Sequence, residues 1–242
     1  LAATTGLMWL QLSGYRLWVD KTFGLDDLAM LAVGVGLANQ VFALVETLAM
    51  QYVFPHFYQA ISQQRSEYSE VSALSDMLDL IVPVYFLLAM VALLAAPTML
   101  ILLTSSQYHS AYKFVMIGVG MELFRVISNL LGQAAQVTKR TSSTLPPYVF
   151  GAIVLIAGVW AVGYPPFASL EISATYLILV AAVTSVSMLV WMRQQVSFML
   201  NWVQLAHLAL LLSIISVFSV THPLLPTSLL EALWMASAFG AL

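Results

Sequence analysis

Glu122, Arg125, Asn129, Gln133 and Gln136 follow one another at steps of three or four residues through an otherwise apolar stretch. At about 100° per helical residue they fall within about 80° of one face. An arginine fork binds carboxylates or phosphates bidentately, and carboxamides hydrogen-bond to hydroxyls. The opposite side carries Leu123, Phe124, Ile127, Leu130 and Leu131, which suit lipid or packed neighbours. The stripe predicts one wall of a hydrated cavity or substrate path. A structural alternative stands beside it: Glu122 and Arg125 can neutralise one another, and the amides can join adjacent helices.

Two further stripes carry ionisable groups. Ser13, Arg16 and Asp20 share a face near the start of the chain. Arg16 and Asp20 can pair, or Arg16 can snorkel to the headgroups. Ala32, Gly36, Asn39, Ala43 and Glu46 share another face, where small residues permit close helix approach. Glu46 then lies inside the bundle, either protonated and inert or titrating with ion coupling to H⁺ or Na⁺. His207 reads as a hydrogen-bonding partner of a neighbouring helix, and His56 as an interfacial residue. The absence of cysteine removes thiolate sites. No metal, cofactor or catalytic motif is expected, and with no basic patch present no nucleic-acid partner is expected either.

These groups stand out because so little else is charged. Leu80–Tyr112, Thr141–Leu170, Ile172–Met192 and Gln194–Leu230 contain no Asp, Glu, Lys or Arg. Each can cross the roughly 30 Å hydrocarbon core at about 20 helical residues per crossing. Hydrophobic residues make up 61% of the 242-residue chain and charged residues 8%, against about 25% charged in a soluble domain. The expectation is an all-α, polytopic transmembrane helix bundle embedded in the lipid bilayer.

Eight spans are predicted: Leu1–Val19, Leu28–Phe54, Met77–Leu103, Ala111–Val137, Leu145–Gly163, Ile172–Met192, Phe198–Val220 and Thr227–Leu242. Gly24, Pro146 with Pro147, Pro165 with Pro166, and Pro223 with Pro226 punctuate them. Pro83 and Pro97 fall within the third. Residues 56–76, with Phe57, Ile61 and Val71 among polar neighbours, read as an interfacial helix or a solvated linker. Alternate crossings put Arg65, Lys139, Arg140 and Arg193 on one side and Lys21 and Lys113 on the other. The positive-inside rule makes the first side, with both chain ends, cytoplasmic. The chain opens on Leu1 within an apolar segment, which reads as the beginning of a fragment.

The segment GYRLWVDKTFGLDDLAMLAVGVGLANQVFALVETLAMQYVFPHFY, from Gly14 to Tyr58, resembles the middle of bacterial polysaccharide flippases of the O-antigen type. Their superfamily includes multidrug exporters of the MATE kind and lipid II flippases. Tyr15-Arg16 stands where that family has an Asp-Arg-like pair, Phe23-Gly24-Leu25 at its turn, and Pro55 at its closing proline. Tyr15 departs from the acidic partner, and Asp20 is the nearby substitute. GQAAQVTKRTSSTLPPYVFGAIV, from Gly132 to Val154, resembles the family's basic cytoplasmic turn.

The resemblance implies the C-terminal half of a two-lobe transporter. Residues 1–193 would form a six-helix lobe, residues 194–242 two accessory helices, and the N-terminal lobe would be missing. It implies translocation of an undecaprenyl-diphosphate-linked oligosaccharide across the bacterial inner membrane, possible association with other polysaccharide-assembly proteins, and no enzymatic step. Arg16 and Arg125 would attract the diphosphate. Asn129, Gln133 and Gln136 would hydrogen-bond the sugar; Asp20, Glu46 and Glu122 would act as charge partners or in coupling. A multidrug or metabolite exporter on the same fold is the alternative, followed by a membrane enzyme of polysaccharide assembly.

Overall fold

The computed structural model describes residues 2–63, 67–161 and 169–221. Among them the chain is helical throughout, with no strand. Helices α1 (Ala2–Trp9) and α2 (Tyr15–Phe23) are joined by a π-helical turn, Leu10–Gly14. They lead into α3 (Leu25–Gln63), α4 (Glu67–Leu103), α5 (Tyr112–Val137), α6 (Leu145–Ala161), α7 (Leu170–Arg193) and α8 (Trp202–Thr221). Six described helical segments, those containing α3 to α8, are long and apolar enough to cross a membrane, as in a multi-pass membrane protein.

The polar pattern is reversed relative to a soluble bundle. Leu80, Val84, Leu87 and Val91 form an exposed stripe at helical spacing on α4, and Phe150, Ile153, Ile156 and Trp160 do so on α6. Such stripes suit contact with acyl chains, whereas Glu122 and Ser128 are buried. Gly24, at φ +95°, makes the sharp turn from α2 into α3 that an L-residue with a side chain would resist. At the far end of α5, Lys139 at φ 57° forms a left-handed cap. There Arg140 N–H donates to Ala135 O and Lys139 N–H to Gln136 O.

Helix α5 is the central element, packed along α3, α4 and α7. The tightest contact is with α3. A Cβ on Gly118 would stand 2.8 Å from Val35 Cα and 2.9 Å from Ala38 Cβ, and one on Gly34 would stand 2.7 Å from Val115 N. The expected Gly36 is not a contact residue, since open space surrounds it. The close approach therefore runs through Gly34, Val35 and Ala38, one step around the helix from the face read in the sequence.

The expected interfacial helix is also absorbed differently. Helix α3 continues through Pro55 to Gln63, and α4 already begins at Glu67. At 39 and 37 residues, these helices run about 58 and 56 Å. Each is longer than the roughly 30 Å hydrocarbon core. Arg65, Pro165, Pro166, His222, Pro223, Pro226 and the eighth span, Thr227–Leu242, lie outside the described residues.

Candidate functional site

The close packing of α3 on α5 brings two polar faces into register. Arg125 donates from Nε to Glu122 Oε2 at 2.6 Å and from Nη2 to Glu46 Oε2 at 2.9 Å, with Nη1 3.5 Å from Glu46 Oε1. Asn39 Nδ2 donates to Glu122 Oε1 at 3.1 Å, and Asn129 Nδ2 to Glu46 Oε1 at 3.1 Å. Glu46 is therefore not the lone carboxylate that its sequence neighbours imply. It completes a cluster of two carboxylates around one guanidinium, so the ionised cluster has a formal excess of one negative charge.

A cavity of about 310 Å³ extends from this cluster toward the end of α5 that carries Lys139. Glu46, Asn129 and Tyr85 line it beside the cluster, and Gln133, Gln136 and Thr141 line it toward Lys139. The α5 wall from Asn129 to Gln136 covers about 10 Å. Tyr58, from the part of α3 beyond Pro55, places its hydroxyl 2.9 Å from Oε1 of both Gln133 and Gln136. The α5 stripe is thus both things that the sequence permits. Glu122 and Arg125 neutralise charge, while Asn129, Gln133 and Gln136 line a cavity.

Arg16 and Asp20 are exposed on α2, with no ion pair between them, and neither joins the cluster. The α2 stripe was read on the exposed face. The polar residue of this first segment that turns inward is Gln11, buried on the face that also carries Thr4, Tyr15 and Val19. Gln11 Nε2 donates to Tyr148 O at 2.8 Å, and Thr184 Oγ1 donates to Gln11 Oε1 at 2.9 Å. Together with Tyr148 and Thr184 it lines a small cavity of about 40 Å³ that also touches Arg125. A lone Gln in an apolar run is the available signal, and it shares its face with buried Thr4, Tyr15 and Val19.

Gln11→Leu is expected to cost only about 1 kcal/mol, the net worth of an ordinary hydrogen bond. Thr184 Oγ1 also lies 2.9 Å from Val180 O, to which its single proton can turn, so it keeps a partner. Thermal unfolding of the purified variant measures this, and a loss several times larger would mean that Gln11 supports more than its own contacts.

Tyr85 and Tyr58 were also missed. Tyr85 is buried and stacks on Phe42, with ring centroids 6.1 Å apart. His207 Nδ1 lies 2.7 Å from Val203 O in its own helix, correcting the expected bond to a neighbour. No group of His, Asp and Glu with the makings of a metal site occurs among the described residues. Comparison with protein-family models, curated proteins and solved structures finds no match to this chain.

Proposed function

We propose that this chain is one lobe of a bacterial inner-membrane flippase for an undecaprenyl-diphosphate-linked oligosaccharide. The observation that carries the reading is the cavity beside α3 and α5, in which a row of carboxamides leads to Glu46, the carboxylate paired with the half-buried Arg125. Its volume of about 310 Å³ stands at the lower limit of small-molecule sites, about 300–1,000 Å³. An oligosaccharide therefore requires a second lobe to complete the cleft, as the resemblance to two-lobe carriers implies. The proposal keeps eight spans, a six-helix lobe over residues 1–193, and both ends of the chain in the cytoplasm.

In this reading Arg125 is the phosphate site, and it is occupied by carboxylates when substrate is absent. Glu46, with 19% of its side chain exposed against 6% for Glu122, is the partner that a diphosphate displaces. Glu122 stays on Nε and keeps the guanidinium aimed. Freed Glu46 then takes up H⁺ or Na⁺, coupling ion and substrate at one residue. Asn129, Gln133 and Gln136 replace the water around the sugar hydroxyls. Arg16 and Asp20 are assigned to the mouth on the opposite side, outside the cluster.

One observation favours a second reading. The excess negative charge of the cluster also suits a cationic drug or metabolite, as in an exporter. Measuring lipid-linked sugar export and cationic-dye efflux in cells carrying the full-length protein separates the two. With Gln133→Ala and Gln136→Ala combined, glycan export is expected to fall at least about tenfold, the loss of roughly 1.4 kcal/mol of hydrogen bonding, at unchanged membrane abundance. Unchanged glycan export together with altered dye efflux would replace the flippase by the exporter.

A further inference from the structure

On the face of α5 opposite the polar cavity, a second cavity of about 620 Å³ lies between α7 and α8. Helix α8 packs along α4, while α7 packs along α5 and α6, leaving a groove floored by Met116, Gly120 and Leu123. Phe86, Ile178 and Leu212 supply apolar walls. One end of the groove is polar. There Lys113 Nζ donates to Glu171 Oε1 at 2.8 Å, with side chains 51% and 60% exposed.

We infer that this groove holds one acyl chain of a zwitterionic membrane phospholipid, with its headgroup on the Lys113–Glu171 pair. Length supports a single leaflet. From Lys113 to Phe124 the α5 floor runs about 17 Å, close to half of the roughly 30 Å core.

Charge selects the headgroup. The lysine ammonium meets the lipid phosphate and the glutamate carboxylate meets the lipid ammonium, each by a charge-assisted hydrogen bond. A headgroup with net negative charge meets Glu171 without compensation. The bound lipid replaces packing that α7 does not give to α8, and so fixes α8 against the bundle. This site is separate from the proposed transport path, because α5 stands between them.

The test uses the purified full chain in micelles containing phosphatidylethanolamine and phosphatidylglycerol in equal amounts, read by native mass spectrometry. One phosphatidylethanolamine per chain is expected to survive delipidation, with a preference over phosphatidylglycerol of about fivefold, the worth of one interfacial charge. Glu171→Gln leaves the ammonium unpaired at the surface and is expected to turn the preference toward phosphatidylglycerol. Ser213→Phe fills the groove from α8 and is expected to abolish retention. Equal retention of the two lipids by the unaltered chain overturns the headgroup assignment. Retention unchanged by Ser213→Phe overturns the groove, as does a chain that retains no phospholipid because a protein segment fills the space.

Discussion

Arg125→Ala is expected to destabilise the protein by about 3–5 kcal/mol, because it leaves two carboxylates without their shared cation in a low-dielectric site. Arg125 is the partner of both Glu46 and Glu122, and 16% of its side chain is exposed. With Arg125 removed, Asn39 and Asn129 are left as the side-chain donors to Glu122 and Glu46 among the described residues. Thermal unfolding in detergent is expected to shift downward by roughly 10 °C.

A triple replacement, Arg125→Met with Glu46→Gln and Glu122→Gln, removes all three charges at similar volume. It is expected to recover most of the stability, as buried ion pairs replaced by neutral groups commonly do. Under the proposed function it is not expected to recover glycan export. If Arg125→Ala unfolds at the same temperature as the parent, the cluster holds no structural charge balance and the geometry has been misread.

The second large effect concerns the contact that assembles the cluster. Gly118→Leu is expected to cost about 3 kcal/mol or more, at or beyond the upper end of ordinary overpacking. The obstruction is backbone: Val35 Cα stands 2.8 Å from the place of the first added carbon. Neither rotamer changes nor side-chain motion relieve it, so α3 and α5 must separate. Separation pulls Glu46 away from Arg125, and a packing defect becomes an electrostatic one. Gly36→Leu is the control, since nothing lies within 4 Å of its added Cβ. In a helix interior it is expected to be neutral or slightly stabilising, as glycine costs up to about 1 kcal/mol against better helix formers. Equal loss in the two variants, compared by thermal unfolding, would remove the close approach from the account.

The long apolar runs made the helical membrane bundle legible, and the three- and four-residue spacing on α5 made half of the site legible. Periodicity places residues on a face but does not say which neighbour that face meets. Glu46 and Arg125 are 79 positions apart, and their pairing follows from the packing of α3 beside α5. The choice of Gly34 over Gly36 is likewise decided by the partner helix. Gln11 shares one face with Thr4, Tyr15 and Val19, all buried, but periodicity alone does not say that this polar face turns inward. The continuation of α3 to Gln63 was hidden by Pro55, whose ring usually breaks a helix. Tyr58, on that continuation, could not be connected with Gln133 and Gln136 until its helix was known to continue.

The distribution of charge between α3 and α5 also bears on synthesis. Helix α5 brings Glu122 and Arg125 to the bilayer together, three residues apart and mutually neutralising. Helix α3 brings Glu46 with no cation of its own at that depth, and Arg125 follows 79 residues later. At about 5–20 residues per second, that delay is roughly 4–16 s. An acidic group at the centre of an inserting helix costs about 2.5–3.5 kcal/mol, a cost that α3 carries alone until Arg125 is made. The arrival of α5 ends that wait by bringing the cation that pairs with Glu46.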